Sequence, residues 1–161
     1  MTSSDTFQRV QQHGTDLGVF WNNFNNLEMF LRLFLARKSG LGTEAILRCM
    51  SASQGECLDE NPITDWRTFG ALCNAYNAAV GSTNEMDFSE LVRLRDALAH
   101  GRVSGDSQGR LIVTKYSKPI DSKVRVEVHQ MLDSAFLQRL SEMSHQMCVE
   151  ISNSMQPYMR P

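Results

Sequence analysis

The sequence predicts a mainly α protein, a helical bundle with one β-hairpin inserted near residues 110–129. Apolar residues recur at steps of three, four and seven through most of the chain, the period of helices with one buried face. The period changes to two in GRLIVTKYS and KVRVEVH, the rhythm of strands. Short turn-forming stretches, not long polar tracts, separate these segments. A chain of 161 residues reads as a single domain, 1–161, large enough to bury roughly two thirds of its unfolded surface.

From about Thr6 to Arg37 the residues Phe7, Val10, Leu17, Phe20, Phe24, Leu27, Leu31 and Phe34 mark one side of a long helix, which KSGLG at 38–42 ends. Glu28 lies beside that stripe. A short helix follows over Thr43–Met50, then the polar loop SASQGECLDENP. Thr64 or Asp65 is placed to cap a helix whose inward set is Phe69, Leu72, Tyr76 and Val80. Beyond GSTNE, Asp87 as N-cap, Glu90 three residues on and a Met86–Leu91 staple open another helix. It ends at His100, and Gly101 suits the left-handed position after a helix. KPIDS supplies the turn between the two strands. From Asp133 a last helix returns through Phe136, Leu140, Met143, Met147 and Ile151, ending before Pro157.

A hydrophobic content of 42% with four prolines belongs to a packed globule, not a disordered chain. The start, MTSSDTFQRV, lacks the apolar core of a secretory signal, and MFLRLFLA is short and broken by Arg32. A soluble cytoplasmic protein without membrane contact is expected. Cys49, Cys57, Cys73 and Cys148 show no CxxC spacing and read as reduced, mostly buried thiols. No metal-ligand spacing, P-loop or dinucleotide fingerprint is present, and GLG at 40–42 lacks its strand and third glycine, so no metal or cofactor is expected.

The net charge of −2 says little for nucleic acid, but its distribution says more. Residues 93–125 hold eight basic side chains against three acidic ones, a local +5, leaving −7 for the rest. One reading is a solvated hairpin whose lysines guard its edge; the other is a phosphate-binding surface.

The stretch LVRLRDALAHGRV, residues 91–103, carries the candidate site. With ~100° per residue, Phe88, Leu91, Val92, Leu98 and Ala99 fall within ~60° of Arg95. Arg95 therefore belongs to the apolar side, where a charge must be paired or functional. Arg93, Asp96 and His100 take the polar side. Arg95 and His100 are ~140° apart, so they meet only if the last turn unwinds or a second copy of the chain supplies the partner.

RDALAH resembles the R-x4-6-H motif of the HEPN superfamily, small helical bundles of prokaryotic defence and toxin systems. Asp96 fits the polar residue that usually follows the arginine. The long aromatic first helix with Glu28, the motif at the end of a late helix, the final amphipathic helix and the inserted hairpin also look like that family. Arg139–His145 and Arg93–His100 match the bare pattern too. Arg95–His100 is set apart by the acidic residue after the arginine, the inward-facing arginine and the glycine after the histidine, all three of which Arg139–His145 lacks. Some toxin members carry a tyrosine two residues after the histidine; here Arg102 stands there, against regulation by that route.

The resemblance implies a metal-independent endoribonuclease in which the RNA 2′-hydroxyl attacks the adjacent phosphorus. Arg95 would stabilise charge, His100 would move protons and Asp96 would orient one of them. Glu28 would anchor Arg95, with Arg93 and Arg102 on the RNA. It also implies a homodimer with two motifs across its interface, and an antitoxin or neighbouring-gene partner. Two other readings stay open: a HEPN-like module binding RNA, a nucleotide or a protein without chemistry, and a helical scaffold. In the scaffold, Arg95–Glu28 is a buried bridge and His100 a helix end favoured by the dipole.

Overall fold

The computed structural model describes residues 3–106 and 110–158, which form five α-helices and a three-stranded antiparallel sheet. The order is α1 (Ser3–Lys38), α2 (Thr43–Met50), α3 (Phe69–Val80), α4 (Ser89–His100), β1 (Arg102–Gly105), β2 (Leu111–Tyr116), β3 (Val126–Met131) and α5 (Ser134–Met155), closed by a 3-10 turn at Gln156–Tyr158. Packing divides the chain into two compact units. One gathers Met1–Asn22 with Phe88–Met143, the other Asn23–Asp87 with Ser144–Pro161. Among the described residues no helix is long and apolar enough to cross a membrane.

The all-helical unit is built on the stripe read from α1. Phe24, Leu27, Leu31 and Phe34 are buried, because steps of three and four keep one face turned inward. Phe24 meets Phe69 of α3 with ring centroids 4.4 Å apart, and Phe34 meets Tyr76 edge-on at 4.8 Å. Gly40, at φ 82°, lets Leu41 N–H reach back to the Ala36 carbonyl at 2.9 Å and stops the helix. The cap of α3 is Thr68, whose hydroxyl accepts from Ala71 N–H at 3.3 Å. Thr64 and Asp65, expected there, are engaged in the preceding loop instead: Thr64 Oγ1 with Asp59 and Asn61, Asp65 with two arginines.

In the sheet-bearing unit, α4 buries Leu91, Leu94 and Ala97, and β2 and β3 bury Val113 and Val128. The first helical residue is Ser89 with Phe88 in the N-cap position, one residue later than the sequence placed it and within the usual fraying of helix ends. The expected hairpin is present as β2 and β3, joined through Asp121 and Ser122 at φ 49° and 61° between the bridged Ile120 and Lys123. Two left-handed central residues are what a tight hairpin turn of the primed type requires.

The sheet has one strand more than expected. RVSG, too short to show a period, pairs as β1 with β2 in the register Arg102↔Thr114 to Gly105↔Leu111. Asp106 closes the β1–β2 connection, its backbone N–H donating to the Arg110 carbonyl while its carboxylate accepts from Arg110 N–H, both at 2.9 Å.

Gly101 makes β1 possible for a reason other than the expected one. Its backbone is extended, φ −87° and ψ −173°, not left-handed. Its N–H completes α4 by donating to the Ala97 carbonyl at 2.7 Å. A Cβ here would overlap the Ala97 carbonyl oxygen and lie 2.9 Å from that of Thr114. Both obstacles are main chain, so neither can turn aside. Gly101→Ala is expected to destabilise the protein by about 1–3 kcal/mol, the range of forced overpacking. A melting temperature equal to wild type would show that the α4–β1 junction can open without loss.

Candidate functional site

The site begins on α4. Its buried stripe runs through Phe88, Leu91, Leu94 and Ala97, while Ala99, expected inward, is exposed and Leu98 half-buried. The stripe lies to one side of a wheel built around Arg95, and β1 and β2 lie against this helix. Arg95 is consequently half-buried at the flank of the stripe, not inside it. Among the described residues it takes part in no hydrogen bond or ion pair. Arg93 is exposed.

Glu28, expected to anchor Arg95, belongs to a different arginine. Its Oε1 accepts from Arg32 Nη2 at 3.1 Å and Nε at 3.3 Å, one helical turn along α1. The same guanidinium donates to Asp65 Oδ1 at 3.0 Å and to the carbonyls of Pro62, Asp65 and Arg67 at 3.1–3.2 Å. Arg32, its side chain only 11% exposed, has every guanidinium nitrogen hydrogen-bonded, and the expected Arg95–Glu28 bridge is replaced by Arg32–Glu28. Burial pushes the Asp65 carboxyl up, but hydrogen bonds from Arg67 and Arg32 outweigh it and hold the group below the usual carboxylate range.

His100 is exposed at the last turn, with Nε2 3.8 Å from Asp96 Oδ1. The other oxygen of Asp96 accepts from Lys115 Nζ of β2 at 2.5 Å, and Lys115 also reaches Glu127 Oε2 at 2.7 Å. The Asp96 carboxylate, then Glu127, hold the Lys115 ammonium above the usual lysine range. Asp96 is thus oriented from the sheet, one oxygen fixed and the other turned to the imidazole. Lys115 and Glu127 are the members of this cluster that sequence reasoning did not assign. Helical spacing finds Asp96 beside His100, but only the pairing of β2 with β3 brings Lys115 and Glu127 together.

The last turn of α4 does not unwind, since Gly101 N–H continues the i to i−4 pattern. Within one chain Arg95 and His100 therefore stay ~140° apart around the helix. The chain assembles Asp96, His100, Lys115 and Glu127; it does not bring Arg95 to them.

Arg102 is exposed, with its guanidinium carbon 5.8 Å from the Tyr116 ring centre. Six of the eight basic side chains between 93 and 125 have no acidic partner among the described residues, because Lys115 takes Asp96 and Arg110 takes Asp106. The alternative motif is occupied: Arg139 holds Glu90 through two hydrogen bonds of 2.9 and 2.6 Å. His145 instead borders a groove of about 270 Å³ between α1 and α5 in the all-helical unit, with Asn26, Phe30 and Val149. Among the described residues, two buried side-chain atoms on α1 are left without a hydrogen-bond partner, His13 Nδ1 and Asp16 Oδ2.

Of the cysteines, Cys73 and Cys148 are buried, Cys49 is half-buried and Cys57 exposed. Burial pushes the Cys73 thiol up to about 12 and that of Cys148 up to about 11, so neither is a ready nucleophile at neutral pH. Among the described residues no three His, Cys, Asp or Glu side chains are grouped as a metal would need. Comparisons with protein families, with characterised proteins and with solved structures return no match to this chain.

Proposed function

We propose that this chain is a metal-independent endoribonuclease of the HEPN type, acting as a homodimer in a toxin or defence system. The observation that carries the reading is the exposed His100 imidazole facing Asp96, whose second oxygen is fixed by Lys115. An imidazole is suited to proton transfer because one ring nitrogen can accept a proton while the other donates. His100 takes the proton of an RNA 2′-hydroxyl as the 2′ oxygen bonds to phosphorus. The P–O5′ bond then breaks, the 5′ oxygen receives the proton, and a 2′,3′-cyclic phosphate remains. Arg95 of a second copy supplies the guanidinium fork that matches phosphorane oxygens. Arg93 and Arg102 hold the strand.

The test is cleavage of labelled single-stranded RNA in EDTA by purified protein. The expected product ends in a cyclic phosphate, and a 2′-deoxy residue at the scissile position abolishes the cut. Intact RNA after prolonged incubation with a folded dimer would overturn the reading. The non-catalytic alternative, a module that binds RNA, a nucleotide or a protein partner such as an antitoxin, is favoured by the separation of Arg95 and His100 within one chain.

Lys115 is a positioning residue in this scheme. Lys115→Met frees Asp96 to rotate and is expected to lower kcat by about tenfold to a hundredfold, the cost of a misplaced group, with KM little changed. Lys115→Arg, which keeps charge and reach, should recover most of the rate. A fall in KM-dependent binding alone would assign Lys115 to the RNA instead.

A further inference from the structure

We propose that the solvated face of the sheet is a stacking platform for single-stranded RNA, centred on Tyr116. The proposal rests on the ribonuclease reading for its substrate and names the form that substrate takes. Val113 and Val128 are buried, with α4 packed on β1 and β2. Strand alternation therefore turns the neighbouring positions to solvent. At one level of the sheet the register lines up Arg102, Thr114 and His129 across all three strands. Thr114 Oγ1 and His129 Nδ1 are 3.1 Å apart, which ties β2 to β3 at that level.

Tyr116 follows on the same face, 42% exposed, with Arg102 over its ring. An exposed aromatic held beside a guanidinium offers a base a ring to stack on and its phosphate a charge. Beyond Tyr116 the β2–β3 connection adds Lys118, Lys123 and Arg125, all exposed and without an acidic partner among the described residues. This is the charge a polyanion complements.

The occupant is a single strand because stacking on Tyr116 needs an unpaired base. A duplex keeps its bases stacked on one another and offers only its backbone. Arg102 begins the edge strand β1 two residues after His100, while Lys115, which holds Asp96, lies on the opposite face of the sheet.

The experiment uses His100→Ala as the parent, so that bound RNA survives, and reads the fluorescence anisotropy of a labelled single strand of roughly ten nucleotides. Tyr116→Ala is expected to raise Kd about tenfold, and Tyr116→Phe to bind as the parent does. Arg102→Ala should weaken binding and reduce the slope of log K against log salt by about one. The same sequence as a duplex should bind more weakly. Equal affinity of a folded Tyr116→Ala protein, a loss with Tyr116→Phe, or a preference for duplex would each overturn the platform. The two readings fail separately. RNA cleaved at full kcat/KM by the single variant Tyr116→Ala removes the platform and leaves the ribonuclease. Binding through Tyr116 without cleavage by wild type removes the ribonuclease and leaves the platform.

Discussion

Arg32→Ala is expected to lower the unfolding free energy by about 3–5 kcal/mol, the cost of removing one partner from a buried ion pair. The side chains of Arg32 and Asp65 are only 11% and 12% exposed. Without the guanidinium, two carboxylates and three carbonyl oxygens lose a donor at once. Arg32→Met fills the volume and still leaves those acceptors, so it should cost nearly as much. Adding Asp65→Asn to it should recover part of the loss. Acid supplies a second readout. The Asp65 carboxyl sits below its ordinary 3.8 in the folded chain, so its contribution is complete above that value and lost as pH falls through the lower, folded one. Asp65→Asn should flatten the decline of stability below about pH 4. Urea unfolding at neutral and acid pH checks both, and a loss under about 1 kcal/mol for Arg32→Ala would mean the network adds no more than an exposed pair.

Arg32 also shows where the sequence was legible and where it was not. The α1 stripe is legible from Phe20 onward, where Phe20, Phe24, Leu27, Leu31 and Phe34 are all buried as a local period requires, but Phe7 and Val10 of the same stripe are exposed. Arg32 interrupts a greasy stretch with Glu28 one turn before it, yet its other partners lie about thirty residues on in an irregular loop, where no spacing rule reaches. The same rule, that a charge in an apolar stripe needs a partner, points to Arg95. Arg95 lies half-buried at the flank of the stripe, because tertiary packing, not the helical period alone, sets which side of α4 is covered. β1 was hidden for a different reason: four residues show no period, and their pairing depends on β2. At Gly101 the sequence points to a left-handed backbone, but the backbone there is extended, and main-chain crowding is what demands glycine. Asp96 and His100 were legible at one-turn spacing, whereas Lys115 and Glu127 joined them only through strand pairing.

The largest kinetic effects are expected at the motif itself. His100→Ala should slow RNA cleavage by about 10²–10⁴, the contribution of a positioned acid or base. Arg95→Met should slow it by about 10²–10³, as when a donor aimed at developing charge is removed. Arg95 has no partner among the described residues to strand, so Arg95→Met should melt near wild type, in contrast with Arg32→Met. The double variant Arg139→Ala, His145→Ala should remain active, because Arg139 is engaged with Glu90 in an exposed pair worth at most about 1 kcal/mol. A dead double variant beside an active His100→Ala would move the site to α5. Because Arg95 and His100 point ~140° apart on a regular helix, a working centre must draw them from two copies, and mixing reveals it. A heterodimer of His100→Ala with Arg95→Met holds one intact Arg95 and one intact His100, which face each other across one of its two sites. Refolding the two inactive variants together should restore about a quarter of wild-type activity, as random pairing in a twofold dimer dictates. Activity that stays at the level of the separate variants would show that the two residues do not meet across an interface, and the ribonuclease reading would fall with that result.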